Sequence, residues 1–369
     1  MKHLAPSSFR AFACAGGRCP DSCCRAGWEI VPDEEALKLY NTFGGAAGVR
    51  IQAGIMPGKE PLLRQDENRV CVLLDPDGLC HVQKNFGHEA LCRVYREYPR
   101  FHREFGNLTE HGVSLSCPTA YALAVGAPLQ WETWEDEAPV VPNDLDPDAY
   151  LRLRRGRELA LELLGREDLS LTRRIELVRK LAAAIQNAPE KLVHHDYGLR
   201  LKRWCAGIRG RRQPSAVIGR PLYAAGNQLQ TARCRMQNKW VRGNRQLFAP
   251  DRLAERFSSL EILSPVWKEQ LERFRAMLRD DAGTQCTPLR GELPETDQPE
   301  VYARYLACSL YKYWLDALDD GNLLGKVERS LSMTLLGLAM DRALPGEGPF
   351  LQRISREIEH CEENLAALE

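Results

Sequence analysis

CAGGRCPDSCCRAGW, residues 14–28, sets Cys14, Cys19, Cys23 and Cys24 within eleven residues. Gly16, Gly17, Pro20, Asp21 and Gly27 lie between or beside them, and such residues favour tight turns that let several thiolates converge on one point. A soft metal wants that arrangement. Outward from this run, Cys71-x8-Cys80-x11-Cys92 brackets Asp75-Pro76-Asp77-Gly78, a loop signal between the apolar pieces 70–74 and 79–82. Cys92 falls in HEALCRVYREYPR, a helix-like run that Pro99 should end. Cys117 closes the set in SLSCP, where Pro118 imposes an extended or turn conformation on it.

Eight of the thirteen cysteines therefore lie in the first 117 residues, while Cys205, Cys234, Cys286, Cys308 and Cys361 are scattered singly. The scattered ones read as packing. Ile354, Ile358, Cys361 and Leu365, for example, fall on one helical stripe. The early group reads as a metal site. Zinc ribbons pair two close knuckles, and only the first half of this pattern is close; the ferredoxin run C-x2-C-x2-C-x3-C-P is absent. Cys19-x3-Cys23 is followed by Ala26 where a radical enzyme's C-x3-C-x2-C loop needs a third ligand. An iron-sulfur cluster is the first expectation and structural zinc the runner-up, with reduced or disulfide cysteines a third possibility. Four thiolates suffice for one cluster, so the other early thiols serve as its neighbours, as structure or for a second metal.

The whole chain bounds the rest. Its 369 residues are 44% apolar, enough for a real core, and 50 Lys plus Arg balance 50 Asp plus Glu, so no global field marks nucleic acid or membrane as partner. The opening MKHLAPSSFRAFACAGG has no apolar run of signal-sequence length, and no later stretch approaches a membrane span. A cytoplasmic protein is the expectation, and thirteen thiols in a reducing compartment argue for metal over disulfides.

The fold expected is mainly α, with an irregular cysteine-rich metal-binding module over 1–130 and a helical domain over 151–369. Residues 131–150, with seven acidic side chains, three prolines and no basic side chain, read as a linker or a draped surface segment. Residues 151–240 carry 20 basic against 7 acidic side chains, and Ile175, Val178, Ala182 and Ile185 repeat at helical spacing behind Ser170 or Thr172 as a cap. Arginines are expected on the outer faces and in the loop 208–212, making a solvated surface or a groove for an acidic partner. Few aromatics interleave with them, so single-stranded nucleic acid is poorly supported. In the aromatic helix 300–314, Tyr302, Tyr305, Leu306, Ser309 and Tyr313 share a face that reads as core before lysine-guiding slot. Gly44, Gly45 and Gly48 form the nearest approach to a Rossmann turn, with no β-rich run before them.

The C-x4-C-x3-CC run with Trp28 behind it, the Cys71–Cys80 spacing around DPDGLC, Cys92 with Tyr98-Pro99-Arg100, and Ser116-Cys117-Pro118 together resemble the bacterial flagellin lysine N-methylases over roughly the first 125 residues. A weaker likeness extends to Glu300–Trp314. The cysteine style is also similar, more remotely, to small zinc- or iron-chelating proteins with a CxxCxxCC pattern. The resemblance implies methyl transfer from S-adenosylmethionine to lysine ε-amines of flagellin in an enzyme containing a [4Fe-4S] cluster. On that reading Cys14, Cys19, Cys23, Cys24, Cys71, Cys80, Cys92 and Cys117 are the pool of metal ligands. Arg100, and less directly Arg93, would pair with the cofactor carboxylate, and Trp28 would shield the cluster. Tyr95, Tyr98 and Glu300 would be proton acceptors. The alternative is a non-enzymatic iron-sulfur or zinc protein acting as a redox sensor or partner-binding module.

Overall fold

The computed structural model describes residues 1–140, 144–187, 250–280 and 296–369. Cys205, Cys234, Cys286 and the arginine loop 208–212 lie outside the described residues.

The mainly helical class holds, but the amino-terminal region is not irregular throughout. Strands β1 (Lys2–Pro6), β4 (Arg100–Phe105), β5 (Leu108–Val113) and β6 (Trp131–Glu135) form one sheet in the order β4-β5-β1-β6, beside a two-stranded ladder of β2 (Ile55–Met56) and β3 (Leu62–Leu63). β4 and β5 form a hairpin, β1 runs parallel to β5, and β6 closes the edge antiparallel to β1. β5 reads LTEHGV, with no alternation of apolar residues, yet all six positions are buried. Its polar side chains are paid in kind: Glu110 meets the buried Arg157, while His111 hydrogen-bonds His3 at 2.9 Å and stacks on Trp134.

β6 corrects the expected linker. Residues 131–135 are a strand whose Trp134 covers His3 and His111, and whose Glu132 and Glu135 pair with Arg10 and Lys2. At the other end, Asp146 caps a helix starting at Pro147, so 147–150 are its first turn. Acidic composition marked solvent-facing side chains, not an unstructured connection.

The histidine stack has a pH consequence. Burial, reinforced by His102 and His3, pushes the His111 imidazole down from 6.5 to about 4. The unfolded chain then binds a proton that the folded chain refuses, so stability is expected to fall as pH drops from about 6.5 towards about 4. Urea unfolding followed across that interval checks the sign; a midpoint that rises on acidification would contradict it.

Helices follow the sheet strands and the thiol loops. The first six are α1 (Ser7–Ala11), α2 (Glu34–Thr42), α3 (Gly45–Ala53), α4 (His81–Phe86), α5 (Arg93–Glu97) and α6 (Pro118–Gly126). Gly44 and Gly45 sit at the junction of α2 and α3 and Gly48 lies in the first turn of α3, so a helix and not a strand precedes them.

The helical body contains α7 (Pro147–Leu164), α8 (Leu171–Gln186), α9 (Pro250–Ser258), α10 (Pro265–Asp280), α11 (Pro299–Tyr313), α12 (Ala317–Asp320), α13 (Leu323–Ala343), α14 (Phe350–Ile358) and α15 (Glu362–Ala367). α8 starts as read, with Ser170 Oγ accepting from the Arg173 amide at 3.3 Å, and buries Ile175, Val178, Ala182 and Ile185. α11 is core: Tyr302, Tyr305, Leu306, Ser309 and Tyr313 are all buried. Tyr302 and Tyr305 donate or share hydrogen bonds with Asp341 and Ser355, both at 2.8 Å.

Two readings need correction. Arg157, Arg174 and Arg179 are interior, not on outer faces, because each meets a distant carboxylate: Glu110, Glu300 and Glu328. The Ile354–Leu365 stripe is not continuous. α14 stops at Ile358, and Cys361 caps α15, its sulfur accepting from the Asn364 amide. No helix among the described residues is long and apolar enough to cross a membrane.

Candidate functional site

The DPDG turn closes through Asp75 N–H to Leu79 O (2.8 Å) and Gly78 N–H to Asp75 O (2.9 Å). Asp75 is buried; burial opposes its charge, yet hydrogen bonds from His81 and Arg50 hold its carboxyl below the usual range. The turn then lies directly on the first cysteine loop. A Cβ at Gly78, where φ is +81°, would come within 2.8 Å of Gly17 O, and one at Gly17 within 2.6 Å of Asp77 O. Gly78→Ala combines the strained φ with that clash and is expected to cost about 1–3 kcal/mol; thermal unfolding of the variant measures it.

This contact gathers the thiols. Cys71 N–H donates to Cys24 O at 2.9 Å, and Cys24, Cys71 and Cys92 are buried in one small core with Cys23, Cys80, Trp28 and Tyr95 against it. The Cys24 side chain hydrogen-bonds those of Cys23 and Cys80, and Cys71 lies within electrostatic reach. The remaining three, Cys14, Cys19 and Cys117, neighbour one another instead.

The hydrogen bond to Cys23, with burial, pushes Cys24 up to about 12; burial pushes Cys71 and Cys92 up to about 11. Left alone, such thiols stay protonated. Backbone N–H groups nevertheless point at the sulfurs: Leu73 at Cys71, Val82 and Gln83 at Cys80, Tyr95 at Cys92. Amide donors of this kind stabilise the thiolate, the form that binds metal. Trp28 Nε1 is buried beside them with no hydrogen-bond partner, a spare donor of the kind that a bound sulfide or thiolate satisfies. In kind, though not in spacing, the donor set suits a thiophilic centre. Among the described residues, no group of three or more His, Cys, Asp or Glu side chains closes to the geometry of a single ion.

A cleft of about 350 Å³ opens beside the thiols. Trp28, Tyr95, Tyr98 and Arg100 line it together, so the structure gathers four residues that the sequence marked separately. Tyr98 follows α5 and is joined to Pro99 by a cis peptide; its ring meets Trp28 edge-on at 5.3 Å, and its hydroxyl is 3.1 Å from Ser116 Oγ. Burial, and then the nearby thiols, push the Tyr95 and Tyr98 phenols up, so both keep their protons at neutral pH and serve as hydrogen-bonding groups. Arg100 donates to Phe12 O at 2.9 Å and lies over the Phe12 and Phe9 rings.

Two marked residues lie elsewhere. Glu300 is gripped by both nitrogens of Arg174, at 2.7 and 2.9 Å, within the helical body. Arg93 opens α5 with its amide bound to Asp33 and is not among the residues lining the cleft.

The opposite wall could not be read from local pattern. Ser114, Ser116, Lys312 and Glu359 line the cleft and bond in series: Ser116 Oγ to Ser114 Oγ (2.7 Å), Ser114 Oγ to Glu359, and Lys312 Nζ to Glu359 (2.6 Å). From α14, Arg356 donates to the Asp21 and Ser22 carbonyls (3.1 and 2.6 Å) and covers Trp28, while Gln352 donates to Ser116 O (2.7 Å). No signal near any of these residues announces a partner hundreds of positions away.

No family model matches the chain, and no solved structure matches it. Among curated proteins it is 33% identical over 120 residues to the flagellar biosynthetic protein FliU of Salmonella muenchen, covering 31% of this chain and 70% of FliU. It is 33% identical to the lysine-N-methylase of Salmonella choleraesuis and 32% identical to that of Salmonella typhimurium, again over 120 residues and 31% of this chain. The match spans 30% of the length of each methylase. Sharing a third of its aligned residues with FliU along most of that protein, and with the two methylases, the chain belongs to the flagellin lysine N-methylase family.

Proposed function

We propose that this protein transfers methyl groups from S-adenosylmethionine to lysine ε-amines of flagellin, with a [4Fe-4S] cluster in its amino-terminal region. The observation that carries the reading is the likeness to proteins named lysine-N-methylase and to a flagellar protein. The aromatic, carboxylate-bearing cleft beside the thiols is compatible with it.

Three of Cys23, Cys24, Cys71, Cys80 and Cys92 would hold the cluster, which would leave one iron without a thiolate. Bound there, its iron would supply a redox-silent Lewis acid to which the amino and carboxylate groups of the methyl donor can attach. The chain's own side chains do the rest. Arg100 would pair with the donor's carboxylate on leaving its present partners, Phe12 O and the Phe9 and Phe12 rings. Trp28, Tyr95 and Tyr98 exclude water, which strengthens each charge contact inside. A lysine amine, with a solution pKa of about 10.4, must also lose its proton before it attacks the sulfonium methyl in line.

The test is incubation of anaerobically purified, iron-loaded protein with flagellin and methyl-labelled S-adenosylmethionine, reading lysines by mass spectrometry. Methyl groups on flagellin lysines are expected. A fully loaded protein that adds none overturns the reading, and zinc in place of iron and sulfide overturns the cluster.

A further inference from the structure

One group on the cleft wall has no part in the chemistry above. Glu359 follows α14, and its side chain is 6% exposed. Its carboxylate is used unevenly. Ser114 Oγ and Lys312 Nζ both donate to Oε2, whereas Oε1 receives no hydrogen bond among the described residues, although the residue lines the cleft. Two donors on one oxygen fix the carboxylate's orientation. The second oxygen, which is not among the buried unpartnered atoms, is left as an acceptor open to a further donor.

The surroundings select what can meet it. Trp28, Tyr95, Tyr98 and Phe101 supply aromatic faces around the same cleft, which attract cations and repel carboxylates. The chain already shows that an alkylammonium is accepted at this wall: Lys312 Nζ sits 5.5 Å from the Phe101 ring centre and 4.9 Å from that of Tyr313 while bound to Glu359. A hydrocarbon stem between rings with a positive head on a carboxylate is the side-chain end of lysine.

We infer that Glu359 is the ammonium-binding residue of the cleft: Oε1 receives the head group of a substrate lysine whose methylenes lie against Trp28 and Tyr98, with Lys312 and Ser114 locking Oε2. Glu359 is a binding residue in this scheme. Lys312 and Ser114 are positioning residues. The identity of the ligand as a substrate rests on the methylase reading; the binding itself does not.

Calorimetric titration of the full, iron-loaded chain with N-acetyl-lysine amide and with its neutral isostere N-acetyl-norleucine amide tests this without methyl donor. Saturable binding of the lysine compound is expected, with the norleucine compound about tenfold weaker or worse. Glu359→Gln is expected to lower lysine affinity by about the same factor and to leave norleucine unaffected. Circular dichroism establishes that the variant is folded. Should it not fold, nuclear Overhauser contacts from the lysine ε-methylene to the Trp28 indole in the unsubstituted protein decide the matter. Equal affinity for the two compounds, undiminished lysine binding by a folded Glu359→Gln, or contacts that miss Trp28 would each overturn the inference. If flagellin is methylated while Glu359→Gln binds lysine normally, the inference fails and the methylase reading stands. If the lysine seat is found but flagellin stays unmodified, the reverse holds.

Discussion

Cys80→Ser is expected to strip nearly all iron and sulfide from the anaerobically reconstituted protein, while Cys361→Ser and Cys308→Ser keep both at the unsubstituted level. Cys80 hydrogen-bonds the Cys24 thiol, lies within electrostatic reach of Cys71, and receives the Val82 and Gln83 amides. Removing it breaks the link between the loop at 23–24 and the turn at 75–80. The effect on stability should be large as well. A structural metal returns about 10 kcal/mol or more to the fold in small zinc domains, because the site exists only when the chain is folded around it. Cys308 is a buried thiol with only burial acting on it, and Cys361 caps a helix, so neither has a share in the centre. Iron and labile sulfide per chain, measured for the three variants in parallel, decide the point; full iron in Cys80→Ser would remove this cysteine from the ligand set.

Arg157→Ala is expected to destabilise the protein by about 3–5 kcal/mol, since it leaves a buried carboxylate unpaired. Arg157 and Glu110 are almost fully enclosed, joined through both guanidinium nitrogens, and Arg157 also donates to Tyr311 O at 3.1 Å. The pair spans β5, α7 and α11. A double replacement, Arg157→Met with Glu110→Leu, should recover most of the loss, because two apolar side chains of similar volume need no compensating charge. Urea midpoints of the single and double variants measure both effects. A single variant as stable as the unsubstituted protein would show that water reaches Glu110 and that the pair holds nothing together.

What the sequence disclosed was whatever has a local cause. Apolar spacing and Ser170 located α8, and the Tyr and Leu positions of α11 turned inward as their period required. The glycines and the DPDG turn announced loops that bring Cys24, Cys71 and Cys80 together. The sheet stayed hidden because its central strand buries Thr109, Glu110 and His111, which look solvent-facing until Arg157, His3 and Trp134 are placed over them. The same cause hid the cleft's second wall: Ser114 and Glu359 are 245 positions apart, and neither carries a mark of the other. Glu300 misled in the opposite sense. Its place at the start of an aromatic helix suggested chemistry, but its charge is consumed by Arg174.

Arg356 and Gln352 grip main-chain oxygens at Asp21, Ser22 and Ser116, and both also reach the Asp21 carboxylate, at 3.2 and 3.4 Å. The main-chain part of that grip is indifferent to which amino acids occupy the loops, so positions beside Asp21 can drift in sequence through evolution while Asp21, whose carboxylate is also bound, is tied to its type. The grip also makes α14 a natural reporter: amide exchange along Phe350–Ile358 should quicken whenever the loop at 19–24 loosens, even though more than three hundred residues of chain lie between them.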